Sequence, residues 1–341
     1  MRKMHKRRLR KKDITRRKIL ITTSLFSLTF IFIIGYGAFS TNINLSAKGN
    51  VYKVSDKCYE TSNNGDGTVT ITDYDKSCGS EVNIPATIRG KTVTKIGATS
   101  FISKNIKTII FPNTITSIEN KACTSNEITD LEIPSSVTYI GPYAFRHNKI
   151  KNLTLHEGLK SIGVDAFQNN YISDINIPSS VNYLGGGTFV ANSATGDNAY
   201  IYGKNDDGSI DYTHLDSYAG KNATGTQIPD TVTTLGKEAY YLVTYEEIDI
   251  PARIKNIPQY CFAQTNATKI TLHEGLEIID GYAFGYNWAL KTISLPSTVT
   301  NINYNAFPST LKTLNINKTI NSITGVPWGA TNATVNWTGT D

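Results

Sequence analysis

The stretch TIIFPNTITSIENKACTSNEIT (108–129), followed by DLEIPSSVTYIGPYAFRHNKIK (130–151), NLTLHEGLKSIGVDAFQNNYIS (152–173) and DINIPSSVNYLGGGTFVANSAT (174–195), repeats itself every 22 residues. Pro112, Pro134, His156 and Pro178 fall in register, as do Ile118, Ile140, Ile162 and Leu184, and as do Cys123, Phe145, Phe167 and Phe189. The period resumes at Pro229, Pro251, His273 and Pro296, with Tyr240, Phe262, Phe284 and Phe307 in the aromatic slot. A sustained period of this length is the signature of a solenoid, in which each unit is too small to bury its own apolar edge and must stack on its neighbours.

Each unit reads as two short strands and a turn. Leu153-Thr154-Leu155 and Ile175-Asn176-Ile177 alternate apolar and polar residues as half-buried strands do. Proline then ends the strand, because it removes a ladder donor and restricts φ. A second β-like run such as Val137-Thr138-Tyr139-Ile140 closes at Gly141. The segment Pro142-Tyr143-Ala144-Phe145 suits a turn that drives its aromatic ring inward, and Asn148 is placed to hydrogen-bond the backbone of that turn. The expected fold is a β-rich solenoid of about ten coils, each adding ~4.8 Å.

The pattern L-x-I-P-x-x-V-x-x-I-G-x-x-A-F-x-x-N-x-I closely resembles the BspA-type leucine-rich repeats of bacterial surface proteins. The resemblance runs over residues 84–323, and IPATIRGKTVTKIGATSF (84–101) is similar to that family's first repeat. Departures are Cys123 for the aromatic, His156 and His273 for proline, and Thr188 for alanine. The resemblance implies a leucine-rich-repeat solenoid displayed on a bacterial surface.

Between Pro178 and Pro229 lie 51 positions, 29 more than one period. The excess is read as an insertion at 193–227, rich in Asp, Asn, Gly and Tyr, with Tyr200-Ile201-Tyr202 and Ile210-Asp211-Tyr212 as a hairpin around Asp207-Gly208. It divides a first repeat block, 84–192, from a second, 228–323. Residues 40–83 are expected to form a linker and a β-rich N-terminal cap. Residues 324–341, with Trp328 and Trp337, are expected to cap the other end, since an uncapped stack exposes its core.

The chain has 341 residues and a net charge of +6, unevenly placed. Residues 1–18 hold eleven of the 34 Lys and Arg but only one of the 28 acids, Asp13, so the remainder carries 23 basic and 27 acidic groups. Next comes Ile19–Phe39, ILITTSLFSLTFIFIIGYGAF, with no charged side chain. Twenty-one residues make ~31 Å of helix, enough for a bilayer core of ~30 Å. Basic residues on one flank place 1–18 in the cytoplasm and the repeats outside. The expectation is a single-pass signal anchor at 19–39; a cleaved signal peptide, with a small-residue site near Ala38-Phe39-Ser40, is the alternative. So close to a span, the basic tail is assigned to topology and anionic lipid rather than nucleic acid. No sorting signal is visible at the end WTGTD, so attachment is expected from residues 19–39.

Four cysteines follow the span. Cys58 and Cys78 stand as a possible disulfide, whereas Cys123 and Cys261 fall in core slots and read as inert thiols. His156 and His273 recur in LHEGL sequences 117 residues apart, too far to share an ion; His147 and His214 have no ligand-like partner at useful spacing. The turns Asn63-Asn64-Gly65-Asp66-Gly67 and Asn205-Asp206-Asp207-Gly208 lack the spacing and terminal Glu of a calcium loop, although Asp73 and Asp75 could join the first, which keeps calcium as an alternative. Asn-x-Ser/Thr sequons at Asn152, Asn222, Asn266 and Asn317 are frequent by chance in so Asn/Thr-rich a chain.

There is no G-x-S-x-G elbow, H-E-x-x-H, P-loop or dinucleotide fingerprint. The expectation is therefore a binding protein without catalysis, cofactor or metal, whose partner is a host or bacterial surface protein or polymer. A structural envelope spacer is the alternative. The contact residues expected are Tyr200, Tyr202, Tyr212, Tyr218, Tyr241 and Tyr245, in or just after the insertion, because tyrosine offers large contact area at low entropic cost.

Overall fold

A computed structural model describes residues 43–45, 51–53, 56–205, 207–220, 228–320 and 322–339. The chain forms two compact units, 1–53 and 54–341. In the first, the described residues are an antiparallel pair, Ile43–Leu45 with Val51–Lys53. The expectations placed on 1–18 and 19–39 lie outside the described residues. Among the described residues, no helix is long and apolar enough to cross a membrane.

The second unit is a β-solenoid of leucine-rich-repeat type with about twelve turns. One flank is a parallel ladder in which Ser117–Ile118, Tyr139–Ile140, Ser161–Ile162 and Tyr183–Leu184 pair in strict register. The ladder continues through Lys91–Ile96 and Val69–Tyr74. In the second block Asn256–Ile257, Ile278–Ile279 and Asn301–Ile302 repeat it. The other flank carries the strands before the proline, such as Asp130–Glu132 with Asn152–Thr154 and Glu247–Ile250 with Lys269–Leu272.

The irregular turns are hydrogen-bonded from coil to coil as regularly as the strands. Cys123 N donates to Ala144 O at 2.7 Å, Phe145 N to Ala166 O at 2.8 Å and Phe167 N to Thr188 O at 2.9 Å. The alanine slot is buried because the aromatic beside it must enter the core. Phe145, Phe167 and Phe189 stack with centroids 5.5 and 5.3 Å apart and planes within 6°. Gly141 permits the close passage of its neighbour: a Cβ there would stand 2.7 Å from Glu119 C and Asn120 N.

The inward asparagine satisfies what the turn leaves open. Asn170 Oδ1 accepts from Ile150 N at 3.1 Å, while Nδ2 donates to Phe145 O and Phe167 O at 3.0 and 2.9 Å. Asn148, Asn192 and Asn287 make equivalent bonds. Each amide stitches two successive coils, and a buried backbone group left without its partner costs about 1–3 kcal/mol.

The segment expected to be a loop holds a further coil. Tyr200–Lys204 and Ile210–Tyr218 form the expected hairpin. The end of its second strand then re-enters the stack, pairing His214 with Thr234 and Leu215 with Leu235. Gly236 N donates to Leu215 O and Tyr218 N to Ala239 O, both at 2.7 Å, the bonds a normal coil makes. Leu215 and Tyr218 thus occupy the aliphatic and aromatic slots. Only three residue steps separate them, against five from Ile140 to Phe145, so the period does not reveal them.

Both ends of the stack are closed. Tyr59–Asn63 and Val69–Tyr74 make an antiparallel hairpin, Cys58 and Cys78 are joined, and Tyr74 stacks on Phe101 at 5.2 Å. At the far end Thr334–Trp337 pairs with Thr313–Ile316, and Trp328 is buried with its Nε1 on Thr324 O at 2.7 Å. Cys123 and Cys261 are fully buried, and burial pushes both thiols up, away from reactivity.

Candidate binding surface

The tyrosines expected to form a contact surface are divided by the structure. Tyr218 and Tyr245 are 8% and 2% exposed, and they pack with Tyr240 in the core. They are therefore corrected to packing residues. The physical reason is that the shortened coil carries Tyr218 into the aromatic slot, while Tyr245 stands five residues after Tyr240, in the buried slot that Ile150 takes after Phe145. Tyr200 is half-buried against Tyr218, with ring centroids 5.3 Å apart. Tyr202 and Tyr212 meet edge to face at 5.1 Å on the hairpin, and Tyr212 is 55% exposed. Tyr241 is half-buried and accepts a hydrogen bond from Gln264 Nε2 at 3.0 Å.

A larger aromatic surface lies elsewhere. The residue just before the Ala-aromatic pair adopts left-handed backbone coil after coil: φ is 56° at Lys121, 59° at Tyr143, 64° at Glu238, 59° at Tyr260 and Tyr282, and 53° at Asn305. Four residues on, His147, Asn169, Gln264 and Tyr286 are left-handed too. Such a conformation costs a non-glycine residue roughly 1–2 kcal/mol. It persists here because the coil-to-coil hydrogen bonds on either side dictate it.

In the second block three of these positions, Tyr260, Tyr282 and Tyr286, carry rings, and Tyr241, Trp288 and Tyr304 adjoin them. Tyr241 lies 6.5 Å from Tyr260, which stacks on Tyr282 at 4.9 Å with planes 6° apart. Tyr282 continues to Tyr286 at 6.0 Å and meets Tyr304 edge-on at 5.4 Å, and Tyr286 meets Trp288 at 5.7 Å. Trp288 is 51% and Tyr304 62% exposed. Beside them a shallow depression of about 140 Å³ is lined by Tyr282, Tyr286, Trp288, Asn305 and Pro308. Six rings thus form one continuous ridge, with Asn305 and Gln259 each bonded to a ridge hydroxyl, Tyr282 and Tyr304. The sequence signal for it was Tyr143, Tyr260 and Tyr282, each two residues before its core phenylalanine.

The sequence pattern described as BspA type leucine rich repeat region matches residues 72–195 and 214–326, in six copies. The chain belongs to this family. The second match begins at His214, where the hairpin strand rejoins the BspA-type stack. Among solved structures the chain is similar to the pneumococcal vaccine antigen PcpA, 22% identical over 83% of this chain and 84% of the other, with a TM-score of 0.61. It is also similar to a leucine rich cell surface protein from Faecalibacterium prausnitzii, 19% identical over 84% and 95% of the two chains, TM-score 0.53. At such identities the likeness shows the fold. No curated protein matches the chain in sequence.

The histidines of this BspA-type repeat stack act singly. His156 bonds Glu132 at 3.0 Å and His273 bonds Asp249 at 2.6 Å, each one coil back. The first pair lines a groove of about 770 Å³ with Thr108, Ile110, Asp130, Asn152 and Thr154. His147 meets Asn169, and His214 meets Thr234; burial pulls both imidazoles below their usual range. In the acidic turns Asp66 accepts from Thr68 N and Oγ1, and Asp207 from Ser209 N and Oγ. These bonds hold both carboxyls below the ordinary range. The carboxylates are thereby engaged as turn formers. Among the described residues, no three His, Cys, Asp or Glu side chains group as metal ligands.

Proposed function

We propose that the chain is a membrane-anchored cell-surface binding protein, non-catalytic, whose aromatic ridge engages a host or bacterial surface protein or polymer. The observation that carries this reading is the ridge itself. Trp288 and Tyr304 are more than half exposed, yet they continue a connected row of rings from Tyr241. Clustered exposed aromatic surface is what interfaces use, because such rings bury large area with few rotors to immobilise. The hairpin pair Tyr202–Tyr212 offers a second, smaller contact. Residues 1–39 supply the means of anchorage, with 1–18 in the cytoplasm, 19–39 in the bilayer and the repeats outside.

Surface plasmon resonance of the full chain in detergent, against arrayed matrix proteins and envelope fractions, tests this. Saturable binding that falls at least about tenfold in a Tyr282→Ala, Trp288→Ala, Tyr304→Ala variant supports the ridge, since central aromatic anchors carry most interface energy. Binding that survives there and disappears with Tyr202→Ala, Tyr212→Ala moves the contact to the hairpin. No binding to any fraction by folded protein favours the envelope spacer.

A further inference from the structure

The column that carries the ridge is built from different chemistry in the two repeat blocks. In the first block it is charged: Lys121 Nζ and the Arg146 guanidinium lie 5.6 and 5.4 Å from the centroid of the Tyr143 ring. In the second block no cation lies over a ridge ring among the described residues. Glu238 faces the row at its Tyr241 and Tyr260 end. At the other end Lys291 is tied back, its Nζ donating to Trp288 O at 2.6 Å. The depression beside Trp288, which Tyr282, Asn305 and Ser309 help to line, has no charged side chain in its wall.

Carboxamides stand where the first block has charges. Gln264 Nε2 donates to Tyr241 Oη at 3.0 Å, Gln259 Nε2 to Tyr304 Oη at 3.3 Å and Asn305 Nδ2 to Tyr282 Oη at 2.9 Å. Each of these bonds crosses from one coil to another and fixes a phenol. A phenol that accepts in this way keeps its own proton to donate, and an amide that donates through nitrogen keeps its oxygen to accept. The row therefore offers neutral donors and acceptors beside ring surface. Tyr260, Tyr282 and Tyr286 stack face on face, with planes 6° and 5° apart. Trp288 and Tyr304 instead stand at 75° and 89° to the rings they meet, and both are more than half exposed. The stack leaves ring face uncovered on these two.

We infer that the ridge, taken as the contact surface proposed above, binds an uncharged glycan, with sugar rings laid on Trp288 and Tyr304 and their hydroxyls bonded to the phenols and amides alongside. A sugar ring has an apolar C–H face, which aromatic surface takes out of water, and a rim of hydroxyls that both donate and accept. The Trp288 end supplies partners for both. It offers a charged group nothing to pair with, so an acidic polysaccharide or a charged peptide would be desolvated there without compensation. A row that runs from coil to coil, rather than one deep pit, suits a chain of repeating units.

Tryptophan-fluorescence titration and surface plasmon resonance of the full chain test this, in a polyoxyethylene detergent whose headgroup carries no sugar. The probes are cellohexaose, mannohexaose and an N-acetyllactosamine oligomer, with heparin and polysialic acid as charged comparators. The expected result is saturable binding of at least one neutral probe, unchanged between low salt and about 0.5 M NaCl because no charge is engaged. Trp288→Ala should weaken it at least about tenfold. Tyr304→Phe, which keeps the ring and removes only the hydroxyl, should weaken it about fivefold, the worth of one hydrogen bond. Both side chains are exposed, so the thermal midpoint should stay unchanged in either variant. Binding of no neutral probe, binding of the charged comparators alone, or neutral binding that Trp288→Ala leaves intact overturns the inference. Ridge-dependent capture of a surface protein in those cases keeps the ridge as a contact surface for protein; its absence removes that reading too.

Discussion

The coils around Phe167 and the coil around Tyr218 perform the same task by unequal means. In the first, rings stack within 6° and every inward asparagine amide is bonded on both sides. In the second, the Tyr218–Tyr240 and Tyr240–Tyr245 planes open to 22° and 62°. There Asp216 Oδ2, Ser217 Oγ and Tyr240 Oη are buried with no partner among the described residues, as are Asp165 Oδ1 and Gln168 Oε1 on the side of the Phe167 coil that meets Glu238 and Gly187. The difference teaches that a repeat stack draws its stability from translation. Where one unit is two residues short between its core slots, hydrogen-bonding groups lose their counterparts although apolar packing is kept.

The contrast can be broken most forcefully at the aromatic slot. Phe167→Ala is expected to cost about 4 kcal/mol in denaturant unfolding, as removal of a fully buried ring does, and Tyr218→Ala is expected to cost less. Equal losses would mean that the shortened coil is packed as well as the regular ones. Next in size, Asn170→Ala should cost about 2 kcal/mol, since it orphans Ile150 N, while Phe145 O and Phe167 O each lose one of two amide donors and keep those of Asn148 and Asn192. A loss below about 1 kcal/mol would show that water replaces the amide.

A pH titration sharpens the comparison further. Burial pushes the Asp216 carboxyl up to about 7; burial first, and then Glu238, push Asp165 up as well. Both native values lie above the unfolded value of about 4, so the folded chain holds more protons in between. The resulting penalty is absent below about pH 4, grows as pH rises and, for Asp216, is complete above about pH 7. The thermal midpoint should therefore fall from pH 5 to pH 8, and Asp216→Asn should flatten the fall. A midpoint flat over that range would show that these carboxyls are hydrated. The smallest effect belongs to the hairpin: Tyr202→Ala with Tyr212→Ala should shift stability by only about 0.5 kcal/mol. A larger shift would make these rings packing residues, as Tyr218 and Tyr245 are.

Everything that recurs at 22 residues was legible in the amino-acid sequence: the solenoid, the aromatic and alanine slots and the inward asparagines. These are legible because one local geometry, repeated by translation, imposes the same residue type at the same offset. Tertiary structure alone decided the rest. Leu215 and Tyr218 belong to the core because strand pairing puts them there, and no offset announces it. Tyr260, Tyr282 and Tyr286 are joined into one surface row with Trp288 and Tyr304 because left-handed turns in successive coils bring their rings side by side. Asp165 and Glu238, 73 positions apart in the chain, both face Gly187 because the shortened coil removes what would have stood between.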